Sequence, residues 1–244
     1  MLDVAMRAKE LSNMAAYTGG WTLLFIVLRF AVLRGYSSEF SNRVVSLIHA
    51  LLAIFTTTWA IDNWGDPWAG IGGPTTAKQM KCLTISLSYF TYDFLTCLVI
   101  EDNLPNAFHH VATMMGLAVG VLDGTCGTEL VECLFLMEIS NPFMHVKFLI
   151  KDYEKKGGRL PAALTTVNEV LFVLAFFVCR LVIGPVLVYH TVASETTHVL
   201  VKAGGVGILL VSIFWFRLIC QVAAYKLGLT EGKKGAKKGA KKGE

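Results

Sequence analysis

Two stretches between Pro105 and Asp152 decide how this chain reads. One is Phe108-His109-His110-Val111-Ala112-Thr113. The other is Glu129-Leu130-Val131-Glu132-Cys133-Leu134-Phe135-Leu136-Met137-Glu138-Ile139-Ser140-Asn141-Pro142-Phe143-Met144-His145-Val146-Lys147. Both lie in hydrophobic runs, and both hold more ionisable chemistry than a membrane span tolerates by accident. In hydrocarbon each such group costs free energy and needs a partner or a water-filled cavity, so intramembrane ionisable residues mark functional sites. In the second stretch Glu138, Asn141 and His145 follow steps of three and four residues and share one helix face. Glu132 lies off that face. Pro142 lacks the N–H that a helix ladder needs and predicts a kink inside the polar patch.

The rest of the chain has the same character. Of 244 residues, 54% are hydrophobic and 16% charged, where a soluble domain is about a quarter charged. A span takes about 20 mostly apolar residues. Seven segments qualify or nearly so: 20–33, 44–61, 83–100, 107–122, 128–150, 163–189 and 199–225, the first and fourth being short. Lipid-exposed irregular backbone is not viable, so the expected fold is all-α: about seven transmembrane helices in a bundle or helical barrel. A transmembrane β-barrel would need alternating segments of about ten residues, and none is present. Residues 1–19 read as a short lead with no signal-peptide pattern. Residues 227–244 repeat Lys-Lys-Gly-Ala and read as a disordered tail. The six cysteines have no C-x-x-C spacing and read as small buried hydrophobes.

Other polar residues sit in the expected spans. Tyr89, Tyr92 and Asp93 share a face of span three. Glu101-Asp102-Asn103-Leu104-Pro105 has helix-start chemistry and places His109 and His110 in the first turns of span four. Glu169 and Arg180 are eleven residues apart, about three turns, and face one way. Arg217 and Gln221 are four apart in span seven. His49 is a lone histidine on an apolar segment and reads as a satisfied core group, while Arg29 reads as snorkelling. Gly204-Gly205-Val206-Gly207 reads as helix packing.

Lys and Arg fall unevenly between alternate loops. Arg34, Arg43, Lys151, Lys155, Lys156, Arg159 and the tail lysines gather on one side; Arg7, Lys9, Lys78 and Lys81 lie on the other. The positive-inside rule puts the first group in the cytosol, the tail with it, and the N-terminal lead in the lumen. Under this topology Asp93, His109, His110, Glu138, Asn141, His145 and Glu169 converge on a polar cavity open to the cytosolic side. The net charge of +4 owes most to the tail and points to membrane surfaces rather than nucleic acid. The final Lys241-Lys242-Gly243-Glu244 resembles the dilysine retrieval signal of endoplasmic reticulum membrane proteins.

Three patterns in order, Ser88-Tyr89-Phe90-Thr91-Tyr92-Asp93, Phe108-His109-His110 with Thr113, and Met137-Glu138-Ile139-Ser140-Asn141-Pro142-Phe143, resemble the TLC-domain family. This family groups ceramide synthases, translocating-chain-associated membrane proteins and the neuronal ceroid lipofuscinosis protein of the endoplasmic reticulum. The resemblance covers residues 43–226, with 20–226 expected to form the domain. The Glu-x-Ser-Asn-Pro-Phe form is most similar to TLC-domain proteins of the transmembrane protein 56 type. The family implies a role in lipid homeostasis, lipid binding or sphingolipid and acyl-lipid metabolism in the endoplasmic reticulum membrane.

Resemblance to the synthases implies acyl transfer from acyl-coenzyme A, the co-substrate, to a long-chain base. His109 and His110 would then be catalytic, with Glu138 and Asp93. An imidazole can take a proton from an attacking amine or attack a thioester itself. Tyr89, Tyr92, Asn141, His145, Glu169 and Arg180 would line the substrate cavity. The synthases' span-five signature is His-Asp with a second Asp three residues on. Here Met137, Glu138 and Asn141 stand in those places, and Asn is no base. Two readings follow: a lipid-modifying acyltransferase, or a non-catalytic lipid-binding protein. The expected partners are membrane lipids, with a homodimer left open. No bound cofactor and no metal is expected, because adjacent helical histidines diverge by about 100° and the chain holds only six histidines.

Overall fold

The computed structural model describes residues 4–100 and 104–229. Among them the chain is helical, with a single isolated β-bridge, Pro74 to Thr125, and no strand. Helix α1 runs Val4–Val27 and continues as a π-helical stretch, Leu28–Val32; α2 is Ser38–Ala60, α3 Ala77–Ile100 and α4 Leu104–Leu122. Then come α5, Gly127–Glu138, and α6, Asn141–Lys155; α7, Ala162–Phe176, and α8, Gly184–Ala193, joined by a π-helical stretch Phe177–Ile183; and α9, Val199–Lys226.

Six of the resulting rods are long and apolar enough to cross a membrane, and His109–Leu122 is a shorter apolar helix. The chain is therefore a polytopic membrane helical bundle, as its hydrophobic segments predict. The first rod starts earlier than the apolar run suggests. Val4–Gly19 is helical and continuous with the span, because Lys9, Glu10 and Asn13 interrupt hydrophobicity without breaking a helix. The tail beyond 229 and the 101–103 connection lie outside the described residues.

The helix breaks follow local chemistry. Ile139 and Ser140 separate α5 from α6, and Pro142 is in the first turn of α6. Proline withholds the N–H that would reach the Glu138 carbonyl, so the helix is interrupted where the sequence predicts a kink. Ser37 caps α2, its Oγ accepting from Phe40 N at 3.1 Å. Thr76 and Gln79 form a reciprocal capping box at the start of α3: Thr76 N donates to Gln79 Oε1 at 2.9 Å, and Gln79 N to Thr76 Oγ1 at 3.3 Å.

The two ends of the bundle differ. At one end the connections 61–76, 123–126 and 194–198 interlock. Thr75 N donates to Gly124 O and Cys126 N to Gly73 O. Glu129, fully buried, accepts from Gly72 N at 3.0 Å and from Thr197 Oγ1 at 3.0 Å. Gly72 has φ +75°, and a Cβ there would collide with Thr196 and Ser194. At the other end the α1–α2 and α6–α7 connections meet, Lys156 lying over the Tyr36 ring at 4.0 Å. This second end holds the mouth of a cavity.

Candidate functional site: a polar cavity with an apolar floor

The cavity has a volume of about 560 Å³, within the ~300–1,000 Å³ range of ligand pockets. Charged side chains stand at its mouth. Glu169 accepts from Lys226 Nζ at 2.6 Å, and Lys147 Nζ lies 3.8 Å from the same carboxylate. Arg43 lies over the Phe148 ring at 4.1 Å and bonds Glu39. Deeper come the histidines, Asp93, Glu138 and Arg180. The floor, toward the interlocked end, is Gly116, Leu117, Leu130, Leu134, Val201 and Gly204, with the paired Glu129 beside them.

Helix α3 delivers Asp93 and Cys97 one turn apart. Asp93 Oδ1 accepts from Asn42 Nδ2 at 2.9 Å, and Asp93 Oδ2 lies 3.4 Å from His110 Nε2 on α4. Cys97 Sγ is 3.9 Å from the same ring nitrogen. The other nitrogen of His110, Nδ1, is buried without a hydrogen-bond partner. His109, the next residue, turns to α9 and packs edge-on against Trp215, its own Nδ1 also unpartnered. The two imidazoles thus diverge, as the ~100° per residue of a helix requires.

A second network joins α5, α6 and the π-helical stretch. Asn141 Nδ2 donates to Glu138 Oε2 at 3.0 Å. Arg180, buried among these groups, donates from Nη2 to Met137 O at 2.6 Å and Asn141 Oδ1 at 2.9 Å, with the Phe176 ring 4.8 Å from its Cζ. The break after Ile139 frees the Met137 carbonyl for this bond, since a continuous ladder would occupy it with the N–H of Asn141. The extra residue in a π-helical turn rotates side chains relative to an α-helix, and such turns recur at functional sites.

Expected site residues fall into two groups. His109, His110, Asp93, Glu138, Tyr89, Asn141, His145, Glu169 and Arg180 all line the cavity. Tyr92 does not: its hydroxyl donates to Asn42 Oδ1 at 2.6 Å and holds the amide that in turn holds Asp93. Its place on the shared face is right, but that face serves both the cavity and the α2 contact. Arg217 and Gln221 are on the exposed side of α9. His49 is a core group, stacked on Tyr89 at 3.7 Å with Nε2 3.4 Å from Ser86 Oγ. Gly204 packs near the Ala112 carbonyl, as the packing reading expects, and also opens the cavity floor.

Several cavity residues carry no strong sequence signal. Asn42 and Arg43 look like ordinary helix-start polarity after Ser37. Thr113, by contrast, belongs to the second family pattern, and its Oγ1 is buried and unpartnered in the cavity wall. Lys226 reads as the last residue of the domain, and it is the cation over Glu169.

The bundle and its cavity define a polytopic membrane protein that encloses a ligand-sized, polar-walled chamber. A family model described as the TLC domain matches residues 39–221, three quarters of the chain, and the chain belongs to that family. Membership makes it a membrane protein of lipid metabolism or sensing.

Proposed function

We propose that this protein binds a lipid in the cavity, tail toward the interlocked end and polar head among His109, His110, His145 and Arg180. It acts there in lipid homeostasis of the endoplasmic reticulum membrane. One observation carries the reading: His109 Nδ1, His110 Nδ1, Thr113 Oγ1, His145 Nδ1 and Arg180 Nε are buried without partners, and all belong to residues that line one chamber. A buried polar atom left unpaired costs about 1–3 kcal/mol, and a bound head group would satisfy several at once. The apolar floor suits an acyl chain. The Lys and Arg bias of the loops supports a mouth on the cytosolic side. The Glu-x-Ser-Asn-Pro-Phe pattern supports kinship with the transmembrane protein 56 type within the family.

A second reading, acyl transfer from acyl-coenzyme A, is favoured by the Asp93–His110 contact. With Nε2 turned to Asp93, Nδ1 carries the lone pair of a base on a residue that lines the chamber. It would take the proton of an amine or hydroxyl acceptor attacking the thioester carbonyl, and return it to the departing thiolate.

Lipid mass spectrometry on the purified chain separates the two. Wild type is incubated with acyl-coenzyme A and long-chain bases, lysophospholipids or phosphatidylglycerol, beside the double variant His109→Ala/His110→Ala. A new acylated product lost in the variant establishes the transferase. Co-purified lipid without turnover supports binding alone. An empty wild-type chamber with no turnover sinks both readings.

A further inference from the structure

We propose that Asp93, Cys97 and His110 form a three-donor site for a divalent transition-metal ion, zinc by its ligand chemistry, with the fourth position open to the lipid cavity. The three residues are buried, and their donor atoms all lie within 4.8 Å of one another. Two separations are resolved: 3.4 Å from Asp93 Oδ2 to His110 Nε2, and 3.9 Å from Cys97 Sγ to the same nitrogen. Tetrahedral zinc, with bonds of about 2.0–2.3 Å, sets its donors about 3.3–3.6 Å apart. Small side-chain adjustments therefore close the site.

The architecture has the features of such a centre. Asp93 and Cys97 are at i and i+4 of α3, and His110 faces them from α4, so two rigid helices hold the donors. Asn42 Nδ2 fixes the second oxygen of the Asp93 carboxylate at 2.9 Å, and Tyr92 fixes Asn42 at 2.6 Å. Orientation of a ligating carboxylate by outer hydrogen bonds is a regular part of metal sites. Asp93, Cys97 and His110 all line the cavity, so an exogenous fourth ligand, a water or a lipid carbonyl, can reach the ion. Three protein ligands with one open position is the pattern of catalytic rather than structural zinc.

Charge balance favours the same conclusion. A divalent ion, a carboxylate, a thiolate and a neutral imidazole sum to zero, and a neutral set is the least costly one to bury at membrane depth. Thiolate and imidazole donors select zinc over magnesium or calcium. Histidines alone do not reveal this site, because His109 points away; Cys97 supplies the donor that a second histidine does not. The ion would replace the Asp93–His110 contact, so its bound hydroxide, rather than His110, would be the base in any acyl transfer.

The site stands independently of the lipid reading, and one set of samples tests both. The full-length chain, purified in detergent without chelator, is assayed for metal content and for bound lipid. It is then stripped with chelator and titrated with zinc alone. About one zinc per chain is expected, with release of the Cys97 thiol proton on loading. Cys97→Ser and Asp93→Asn should each lose the ion, and Asn42→Ala should weaken binding by about 10–100-fold, while Cys133→Ser leaves it unchanged. Cobalt loading should give a thiolate charge-transfer band that Cys97→Ser abolishes. Wild type that takes up no stoichiometric zinc overturns the proposal without touching bound lipid. So does zinc retained by Cys97→Ser. Because the wild-type titration needs no variant, a misfolded variant does not rescue the idea.

Discussion

Glu129 and the residues of the cavity treat buried polar groups in opposite ways. At the interlocked end Glu129 is fully buried, and its carboxylate is taken up by Gly72 N and Thr197 Oγ1. Thr75 Oγ1 likewise donates to Gly120 O and Thr125 O. At the cavity, five buried nitrogen or oxygen atoms of lining residues have no partner. A carboxylate held by a backbone and a side-chain donor is architecture, whereas unpaired donors and acceptors in the residues around a chamber call for a polar partner. Depth in the membrane and residue type do not separate these cases; pairing does.

Substitutions that turn this contrast into numbers should show their largest effect at the interlocked end. Glu129→Ala leaves Gly72 N and Thr197 Oγ1 without their acceptor, and should cost about 3 kcal/mol of stability. A thermal melt of the detergent-solubilised protein should show a clear drop or failure to accumulate. A melt equal to wild type would mean that the pairing is not structural.

The next effect is the mirror image. His145→Leu removes an imidazole whose Nδ1 is buried and unpartnered, so stability should hold within about 1 kcal/mol or rise. Retention of bound lipid should fall by about tenfold, equivalent to ~1.4 kcal/mol. A variant that melts early yet keeps its lipid would place His145 with Glu129 and erase the contrast.

A smaller effect is expected at the floor. A Cβ on Gly204 meets the Ala112 carbonyl in ordinary contact at 3.9 Å, so Gly204→Ala narrows the tail end without a clash. The bound lipids should shift to shorter chains, each displaced methylene costing about 0.8 kcal/mol. Chain-length profiles by mass spectrometry read this directly, and an unchanged profile would mean the tail lies elsewhere. Smallest of all, Lys226→Gln at the mouth breaks a half-exposed ion pair with Glu169 and should change stability by less than about 1 kcal/mol. Its mark would be a weaker salt dependence of anionic lipid binding, measured by titration at two ionic strengths.

Much of this molecule was legible in its residues. Apolar runs located the rods, and Pro142 located the break in the fifth span. The steps linking Glu138, Asn141 and His145 placed all three in the cavity wall. The boundaries were less legible. Val4–Gly19 joined the first helix because a few charges lower hydrophobicity without opposing helix formation. Tyr92 was assigned to the cavity on the strength of its face, and that face turned out to be shared with α2. Asn42 carried no signal, since an Asn near a helix start has ordinary capping uses. The pairing of Glu129 was invisible because its partners lie 57 and 68 positions away.

By itself the sequence determined the class: an all-helical membrane protein with too much polar chemistry in its spans to be inert, and with the motifs of the TLC domain. Hydrophobic length and the cost of ions in lipid are local properties, readable one segment at a time. Only the tertiary structure decided which polar groups meet. Asp93 finds Asn42 and His110, Arg180 finds the freed Met137 carbonyl, and Glu129 finds a loop, while His109, His110 and His145 line the chamber, each with a buried nitrogen left unpaired. Pairing depends on how helices distant in sequence pack and rotate against one another, and a side chain's spacing along its own helix does not contain that information.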